Sequence, residues 1–122
     1  MKESVNIGSF GEEMASDFLQ AKGFQVVKRN FRCRLGEIDI IATNSKFIVF
    51  AEVKLRKNNF YGEPREFVTK SKQRKILLTA QYWLMKHDTL LQPRFDVIEI
   101  LAPYGISSKI EINHIENAFE VN

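Results

Sequence analysis

The feature that most constrains the fold is a run of three extended segments that follow one another closely in the first half of the chain. Residues 25–31, 36–43 and 46–55 are rich in Ile, Val and Phe, residue types that favour β-strands. A short turn at Asn44 and Ser45 separates the second segment from the third. Because so few residues connect them, neighbouring segments can pair only in antiparallel fashion, and the sequence predicts a β-meander.

Two segments with helical periodicity lie on either side of this meander. Residues 8–22 repeat apolar side chains every three to four positions, from Ser9 as the predicted N-cap to a stop at Gly23. Residues 56–68 have the polar composition of a loop, and residues 69–87 then return to helical spacing. The sequence therefore predicts one helix before the meander and a longer one after it.

The remaining apolar segments complete the predicted fold. Residues 93–102 are typical of a strand, and residues 109–115 of a short edge strand. The order α-β-β-β-α-β with a trailing strand predicts an α/β fold, with a mixed sheet flanked by helices and a crossover through the second helix. With 122 residues, no repeat and no linker, we expect one domain over residues 1–122.

Composition excludes several classes of protein. No apolar run approaches the length of a membrane span, and the charged residues 1–6 lack the apolar core of a signal peptide, so we expect a cytoplasmic protein. Cys33 is the only cysteine, and the chain has only 2 histidines. An intramolecular disulfide and a structural zinc site of the usual kind are thereby excluded, and any metal must be held by oxygen ligands.

Basic residues are concentrated in one part of the chain. The stretch over residues 22–75 holds fourteen of the 18 Lys and Arg residues and five of the 15 Asp and Glu residues, a local charge of +9 against −6 elsewhere. A basic segment of this kind attracts polyanions and is typical of nucleic-acid binding, although it also occurs as ordinary solvated surface.

Acidic side chains interrupt the apolar pattern of two predicted strands. Alternation places Glu52 and Lys54 on one face of the third extended segment, and Asp39 with Glu37 on one face of the second. The opposite face of the second segment then holds Ile38, Ile40 and Ala42. Antiparallel pairing of the two segments can bring Asp39 beside Glu52.

Two carboxylates about 4 Å apart repel by about 4 kcal/mol at an effective dielectric constant near 20. This repulsion must be offset by a cation, either Lys54 or a divalent metal ion on oxygen ligands. The second arrangement suits phosphodiester hydrolysis, with Asp39 and Glu52 as ligands of Mg²⁺ or Mn²⁺ and Lys54 stabilising the developing charge. The alternative is an ion-pair patch at the end of an exposed sheet.

Glu12 and Gln73 each allow two interpretations. Glu12 forms a capping-box pattern with Ser9, yet helical geometry places it at the border of the apolar stripe, while Glu13 faces water. Gln73 lies within the apolar stripe of the second helix, where its amide either caps the helix or reaches the carboxylates or a bound phosphate. The predicted solvent face of that helix consists of Lys72, Lys75, Thr79, Tyr82 and Lys86.

The motifs resemble those of a known superfamily. The string Gly36-Glu37-Ile38-Asp39, followed by Glu52-Val53-Lys54 thirteen residues after the aspartate and preceded by a glutamate-bearing helix, resembles the PD-(D/E)XK nucleases, with isoleucine where that name has proline. From about residue 8 to residue 100 the chain looks like the YraN-type family of bacterial proteins. The further strings that carry this likeness are Gly11-Glu12, Gly23-Phe24, Asn30-Phe31-Arg32-Cys33-Arg34, Lys72-Gln73-Arg74-Lys75 and Arg94-Phe95-Asp96-Val97.

The resemblance implies a fold, a site and an activity. The YraN-type family is thought to be nuclease-like through its own likeness to archaeal Holliday-junction resolvases, which are dimers on branched DNA. The resemblance implies a restriction-endonuclease-like core with a metal site formed by Glu12, Asp39 and Glu52 and completed by Lys54. Glu37 remains open as a ligand, a supporting group or a surface charge.

Three functions are consistent with these observations. The leading hypothesis is a metal-dependent endonuclease on structured or branched DNA, in which Gln73 belongs to the catalytic set. Predicted phosphate contacts are Arg29, Arg32, Arg34, Arg56, Lys57, Arg65 and Lys72, with Phe60 and Tyr61 available for stacking on bases. The alternatives are a non-catalytic nucleic-acid-binding protein and a dimeric protein-interaction domain that pairs through the apolar edge of Ile110, Ile112 and Ile115.

Overall fold

The computed structural model describes residues 7–56, 68–102 and 109–120. Within these ranges the chain alternates helices and strands in the predicted order. The elements are α1 (Ile7–Ala21), β1 (Gln25–Cys33), β2 (Gly36–Thr43), β3 (Phe47–Arg56), α2 (Lys70–Lys86), β4 (Gln92–Leu101) and β5 (Glu111–Ile115). Predicted contacts at Lys57, Phe60, Tyr61 and Arg65 lie outside the described residues.

The strands form one five-stranded mixed sheet in the order β1-β2-β3-β4-β5. All neighbouring pairs are antiparallel except β3 and β4, which run parallel because α2 carries the chain across the sheet between them. This is the predicted α/β arrangement, and it is consistent with a restriction-endonuclease-like core. The β2–β3 ladder extends to the pair of Ile40 and Ala51, and one further residue along each strand brings Asp39 opposite Glu52.

Each face of the sheet is covered by one helix. On one face α1 packs through Ala15 and Leu19 against alternate residues of the central strands, Ile40, Ala42, Val49, Ala51, Ile98 and Ile100. On the other face α2 packs through Ile76, Ala80 and Trp83 against Ile48, Phe50, Phe95 and Val97. The helices therefore flank the sheet as predicted, and the strand ends between them are where polar side chains gather.

The alternation of side chains between the two faces of the sheet is broken at one place in β2. Ile38 packs in the core on the α2 side, whereas Ile40 packs on the α1 side, so the prediction that they share a face is wrong. By the β1–β2 register the residue between them, Asp39, faces Asn30, which has a left-handed φ of 53°. A left-handed residue in a ladder twists the strands locally, and this irregularity coincides with the predicted site.

The start of α1 differs from the prediction in a way that affects Glu12. The helix begins at Ile7, so Ser9 lies inside it and the prediction of Ser9 as N-cap is wrong. A capping box requires the serine at the boundary, where backbone N–H groups lack helical partners. Glu12 is therefore not the partner of an N-cap serine.

The start of α2 agrees with the prediction, whereas one of its faces does not. Thr69 is the N-cap, and its hydroxyl accepts a hydrogen bond from the Lys72 backbone N–H at 3.1 Å. Thr79 was predicted to face solvent and is instead fully buried. The reason is that Gly36, the first residue of β2, packs so closely that a Cβ added there would lie 2.8 Å from the Thr79 hydroxyl oxygen.

β5 is the predicted edge strand and pairs antiparallel with β4. Ile110 and Ile112 pack against the core on the α1 side, and Ile115 against the core on the α2 side. These side chains are thus used within the chain, and pairing between copies through this edge remains a prediction that would rely on backbone groups.

No helix in the described ranges is both long enough and apolar enough to cross a membrane.

Candidate functional site

Asp39 and Glu52 meet where β2 and β3 leave the apolar core. One carboxylate oxygen of Asp39 accepts a hydrogen bond from the Val53 backbone N–H at 2.8 Å. This bond fixes the Asp39 side chain over the backbone of β3, directly beside Glu52. The two acids predicted to form a pair are therefore brought together by strand pairing.

Glu52 is a buried carboxylate with two cationic partners. It follows Ile48 and Phe50 on the face covered by α2, and only 5% of the residue is exposed. One of its carboxylate oxygens lies 2.6 Å from Lys72 Nζ and 3.5 Å from Lys54 Nζ. The predicted pairing with Lys54 is present, and Lys72 is the closer partner.

Lys72 occupies the first turn of α2, where sequence analysis assigned it to the solvent face. Helical periodicity orders side chains around their own helix and carries no information about a carboxylate on a neighbouring strand. Burial lowers the pKa of Lys72, but the hydrogen bond and charge of Glu52, together with the charges of Asp39 and Glu37, raise that pKa above its ordinary value. The ammonium is therefore charged at neutral pH. Its phosphate contact remains a prediction.

Asp39 holds its proton far more tightly than an exposed aspartate does. Burial raises the pKa of Asp39 to about 7, and the charges of Glu52 and Glu12 act in the same direction. The hydrogen bond from Val53 and the charge of Lys72 oppose this rise without cancelling it. Near neutral pH a large share of the Asp39 carboxyl groups is therefore protonated.

Glu12 reaches this cluster from α1, on the opposite side of the sheet from α2. It is partly buried, and its charge contributes to the raised pKa of Asp39. Its neighbour Glu13 is exposed and pairs with Arg29 at 3.1 Å, as the helical spacing predicted for a water-facing residue. Two helices and two strands thus contribute charged groups to one end of the sheet.

The donor set of the cluster suits a hard divalent cation. Carboxylate oxygens are the ligands that Mg²⁺ and Mn²⁺ prefer, and the paired strands β2 and β3 hold Asp39 and Glu52 side by side. Among the described residues, no three His, Cys, Asp or Glu side chains come together as a metal-binding group on their own. Mg²⁺ sites at phosphates usually have one or two carboxylates plus waters and phosphate oxygens. Asp39 and Glu52 therefore fit as ligands, and Glu12 fits at one remove through water.

Gln73 does not reach the carboxylates. Its amide donates a hydrogen bond to the Val68 carbonyl oxygen at 2.9 Å, which closes the chain onto the start of α2. This contact agrees with the capping interpretation, and a contact of Gln73 with a bound phosphate remains a prediction.

The predicted phosphate-binding arginines differ in accessibility. Arg32 pairs with Glu37 at 2.9 Å while its side chain stays 75% exposed, and Arg34 is also exposed. Arg56 is instead buried against Glu99, because the parallel pairing of β3 and β4 brings the two side chains together. This placement removes Arg56 from the exposed basic surface.

A cleft of about 380 Å³ lies beside the cluster, between the β1–β2 turn and α2. Gly36 and Glu37 line one side, and α2 lines the other with Thr69, Ser71, Lys72, Lys75 and Ile76. The cleft therefore extends from the start of β2 to the lysine that contacts Glu52.

Sequence reasoning did not assign a role to a second charged cluster, centred on the fully buried Asp96 of β4. Arg94 donates to both carboxylate oxygens of Asp96 at 2.9 and 2.8 Å, His114 Nε2 lies 2.7 Å from one of them, and the Asn117 N–H donates at 3.0 Å. Lys22 Nζ lies 2.8 Å from His114 Nδ1, so this nitrogen accepts and Nε2 donates. The signal available in the sequence was a charged pair within an otherwise apolar strand.

Burial alone raises the pKa of Asp96, but the hydrogen bonds from His114, Arg94 and Asn117 hold that pKa below its ordinary value. The cluster ties the end of α1, β4, β5 and the segment after β5 together. We therefore assign it to the framework and not to the candidate site.

Comparison with known proteins places these residues in a family. Residues 11–100, which include both acids and both lysines of the site, match the family described as "Uncharacterised protein family UPF0102". A UPF0102 protein of Clostridium botulinum (strain Loch Maree / Type A3) is 47% identical over 119 residues, covering 95% of each chain. A UPF0102 protein of Clostridium perfringens (strain 13 / Type A) is 45% identical over 121 residues, covering 98% of each chain. The chain therefore belongs to the UPF0102 family, the YraN-type family that its motifs resemble.

Proposed function

We propose that this protein is a metal-dependent endonuclease that hydrolyses phosphodiester bonds in structured or branched DNA. The observation that supports this function is the convergence of Asp39 and Glu52 with Lys54 and Lys72 at one end of the sheet. Paired acids beside lysines, next to a cleft that Lys72 lines, suit a polyanionic substrate and a divalent cation.

Each residue of the cluster has a role in this proposal. A divalent ion held by Asp39 and Glu52 would lower the pKa of a bound water and polarise the phosphate. Lys54, with its ammonium 3.5 Å from Glu52, stabilises the negative charge that develops on the phosphate oxygens. Glu12 accepts hydrogen bonds from water between α1 and Asp39, which orients that water towards the reacting phosphate.

The surroundings explain why we propose a preference for shape over sequence. Arg32 near the end of β1 and Arg34 in the turn that follows it are exposed. Such side chains contact phosphates, and phosphate contacts position a nucleic acid without reading its bases. A substrate is then distinguished by the path of its backbone, which differs between junctions, flaps, nicks and plain duplex.

The decisive experiment measures cleavage of a panel of labelled DNAs, namely a four-way junction, a flap, a nicked duplex and a linear duplex, with Mg²⁺ or Mn²⁺. We expect Glu52→Gln and Lys54→Ala to lower the cleavage rate by roughly a hundredfold or more while binding in the absence of metal is retained. Glu12→Gln is expected to slow cleavage, and Glu13→Gln, one residue away and facing solvent, is its matched control. Absence of cleavage by the wild type on every DNA would contradict the proposal.

One observation favours a second function, a non-catalytic nucleic-acid-binding protein. Lys72 and Lys54 together provide Glu52 with cationic partners without any metal. A protein of this kind would bind DNA with an affinity that divalent cations do not increase, and Asp39→Asn would leave that affinity unchanged. In the nuclease, by contrast, Asp39→Asn removes Mn²⁺ binding measured by calorimetry.

A further inference from the structure

The closest partner of Glu52 is a lysine that comes from another element. Lys72 Nζ lies 2.6 Å from the carboxylate oxygen of Glu52, whereas Lys54 Nζ lies 3.5 Å from the same oxygen. The Lys72 side chain is 41% exposed, so its ammonium has open space to move into, while that of Lys54 is only 27% exposed. The shorter contact is therefore made by the more exposed of the two lysines.

The position of Lys72 is unfavourable for the helix that holds it. It lies in the first turn of α2, which contains no acidic residue, and helix N-termini favour negative charge. Its backbone N–H is fixed by the Thr69 hydroxyl at 3.1 Å, so only the side chain can move. Because Lys72 does not stabilise the start of α2, its presence there indicates a role outside the helix. The carboxylate of Glu52 offsets its unfavourable interaction with the helix dipole.

We propose that Lys72 is a resident counter-cation of the carboxylate pair, which occupies Glu52 until a divalent metal ion binds and then transfers its ammonium to a phosphate of the nucleic acid. This inference rests on the proposed function. A metal ion and an ammonium at one carboxylate oxygen repel each other, so metal binding and departure of Lys72 are coupled. A phosphate in the neighbouring cleft accepts the displaced ammonium.

In this arrangement metal binding and DNA binding are reciprocally coupled. Lys72 competes with metal in the free protein and contacts phosphate in the loaded one, so DNA and metal each increase the affinity for the other. Lys72 thus neutralises negative charge of the buried acid pair when no metal is present. Tight metal binding is then restricted to the DNA-bound protein.

The test compares Mn²⁺ affinity, measured by calorimetry without DNA, in the wild type, in Lys72→Met and in Lys75→Met. Methionine keeps most of the apolar stem and removes the charge, and Lys75 is an exposed lysine of the same helix and cleft. We expect Lys72→Met to bind Mn²⁺ about tenfold more tightly than the wild type, and Lys75→Met to stay within about twofold. Equal or weaker binding by Lys72→Met would overturn the inference. Lys72→Gln serves as a second variant if the methionine variant is poorly folded.

A second readout follows Lys72 to its other partner. The salt dependence of binding to a labelled duplex is measured with Ca²⁺ and without divalent cations. Each lost phosphate contact lowers the log–log slope by about 0.9. We expect Lys72→Met to lower the salt slope by about 0.9 when Ca²⁺ is present and to leave it unchanged without divalent cations. The same change in slope under both conditions would contradict the transfer of the Lys72 ammonium from Glu52 to a phosphate.

The outcomes separate the inference from the proposed function. Equal Mn²⁺ binding by the wild type and Lys72→Met rejects the counter-cation and leaves a metal-dependent nuclease. Absence of Mn²⁺ binding by every protein, with and without DNA, rejects both.

Discussion

Asp39 shows what a single residue acquires from its place in the fold. The sequence spacing was enough to predict that it pairs with Glu52, because two short segments joined by a tight turn have few possible registers. Its raised pKa was not predictable, since that depends on burial and on Glu12 and Lys72, which come from helices distant in sequence. The contact of Lys72 with Glu52 was not predictable for the same reason.

The raised pKa of Asp39 makes the stability of the protein depend on pH. Because the folded-state pKa is about 7 and the ordinary value is 3.8, the folded protein binds a proton that the unfolded chain releases between these limits. The free energy of unfolding therefore falls as pH rises from about 4 to about 7. We expect Asp39→Asn to raise it by roughly 2 kcal/mol at about pH 8 and to leave it nearly unchanged at about pH 4.

Urea denaturation of both proteins at the two pH values measures this difference. Other titrating groups are common to the two proteins, so the comparison isolates Asp39. An asparagine variant that is less stable than the wild type at the higher pH would show that the ionised aspartate is stabilising, contrary to this account.

At the scale of elements, the strands and helices were predictable to within about two residues because hydrophobic periodicity dominates their formation. The errors fall where geometry between elements decides. Ser9 lies inside α1 and does not cap it, Ile38 changes face beside the left-handed Asn30, and Thr79 is buried where the start of β2 packs on α2.

The contact between the start of β2 and α2 depends on a glycine. Gly36 has a φ of 153°, and an added Cβ would meet Thr79 Oγ1 at 2.8 Å. We expect Gly36→Ala to destabilise the protein by about 1–3 kcal/mol, since it combines backbone strain with a clash. Thr79→Ala removes the clashing atom and should recover part of this loss in the double variant.

Thermal or urea unfolding of the two single variants and the double variant gives the coupling energy. Gly23→Ala is the matched control, because Gly23 has a φ of 97° with no atom near its missing Cβ and so reports backbone strain alone. Strictly additive effects of the substitutions at residues 36 and 79 would show that the start of β2 does not rest on Thr79.

At the scale of the whole molecule, the Asp96 cluster joins elements that are distant in sequence, and pattern analysis of separate segments does not detect it. Arg94, His114 and Asn117 surround one buried carboxylate, and Lys22 at the end of α1 lies against His114. The patterns that predict the order of helices and strands are local in sequence. The contacts around Asp96, by contrast, form only when β4 and β5 have paired.

Removal of the buried charge should affect the entire structure. Asp96→Asn leaves Arg94 without its carboxylate, and we expect a loss of about 3–5 kcal/mol in the free energy of unfolding at neutral pH. Because the folded pKa of Asp96 is lowered, its contribution is present above the ordinary pKa and is lost as pH falls through the folded value.

The difference between wild type and Asp96→Asn should therefore shrink below about pH 4, which urea denaturation over an acid pH series would reveal. A difference that stays constant down to strongly acidic pH would mean that packing, and not charge, accounts for the loss. Activity is a separate readout, because this cluster lies outside the candidate site.

The crossover of α2 also orders the events of assembly. β2 and β3 are adjacent in the chain, so Asp39 and Glu52 meet through local contacts that form early. Lys72 reaches Glu52 over a longer stretch of chain than the one that joins β2 to β3, so its contact closes a larger loop and costs more chain entropy. In a growing chain the two acids can thus meet with Lys54 as their neighbouring cation, and the charge of Lys72 is added when α2 docks.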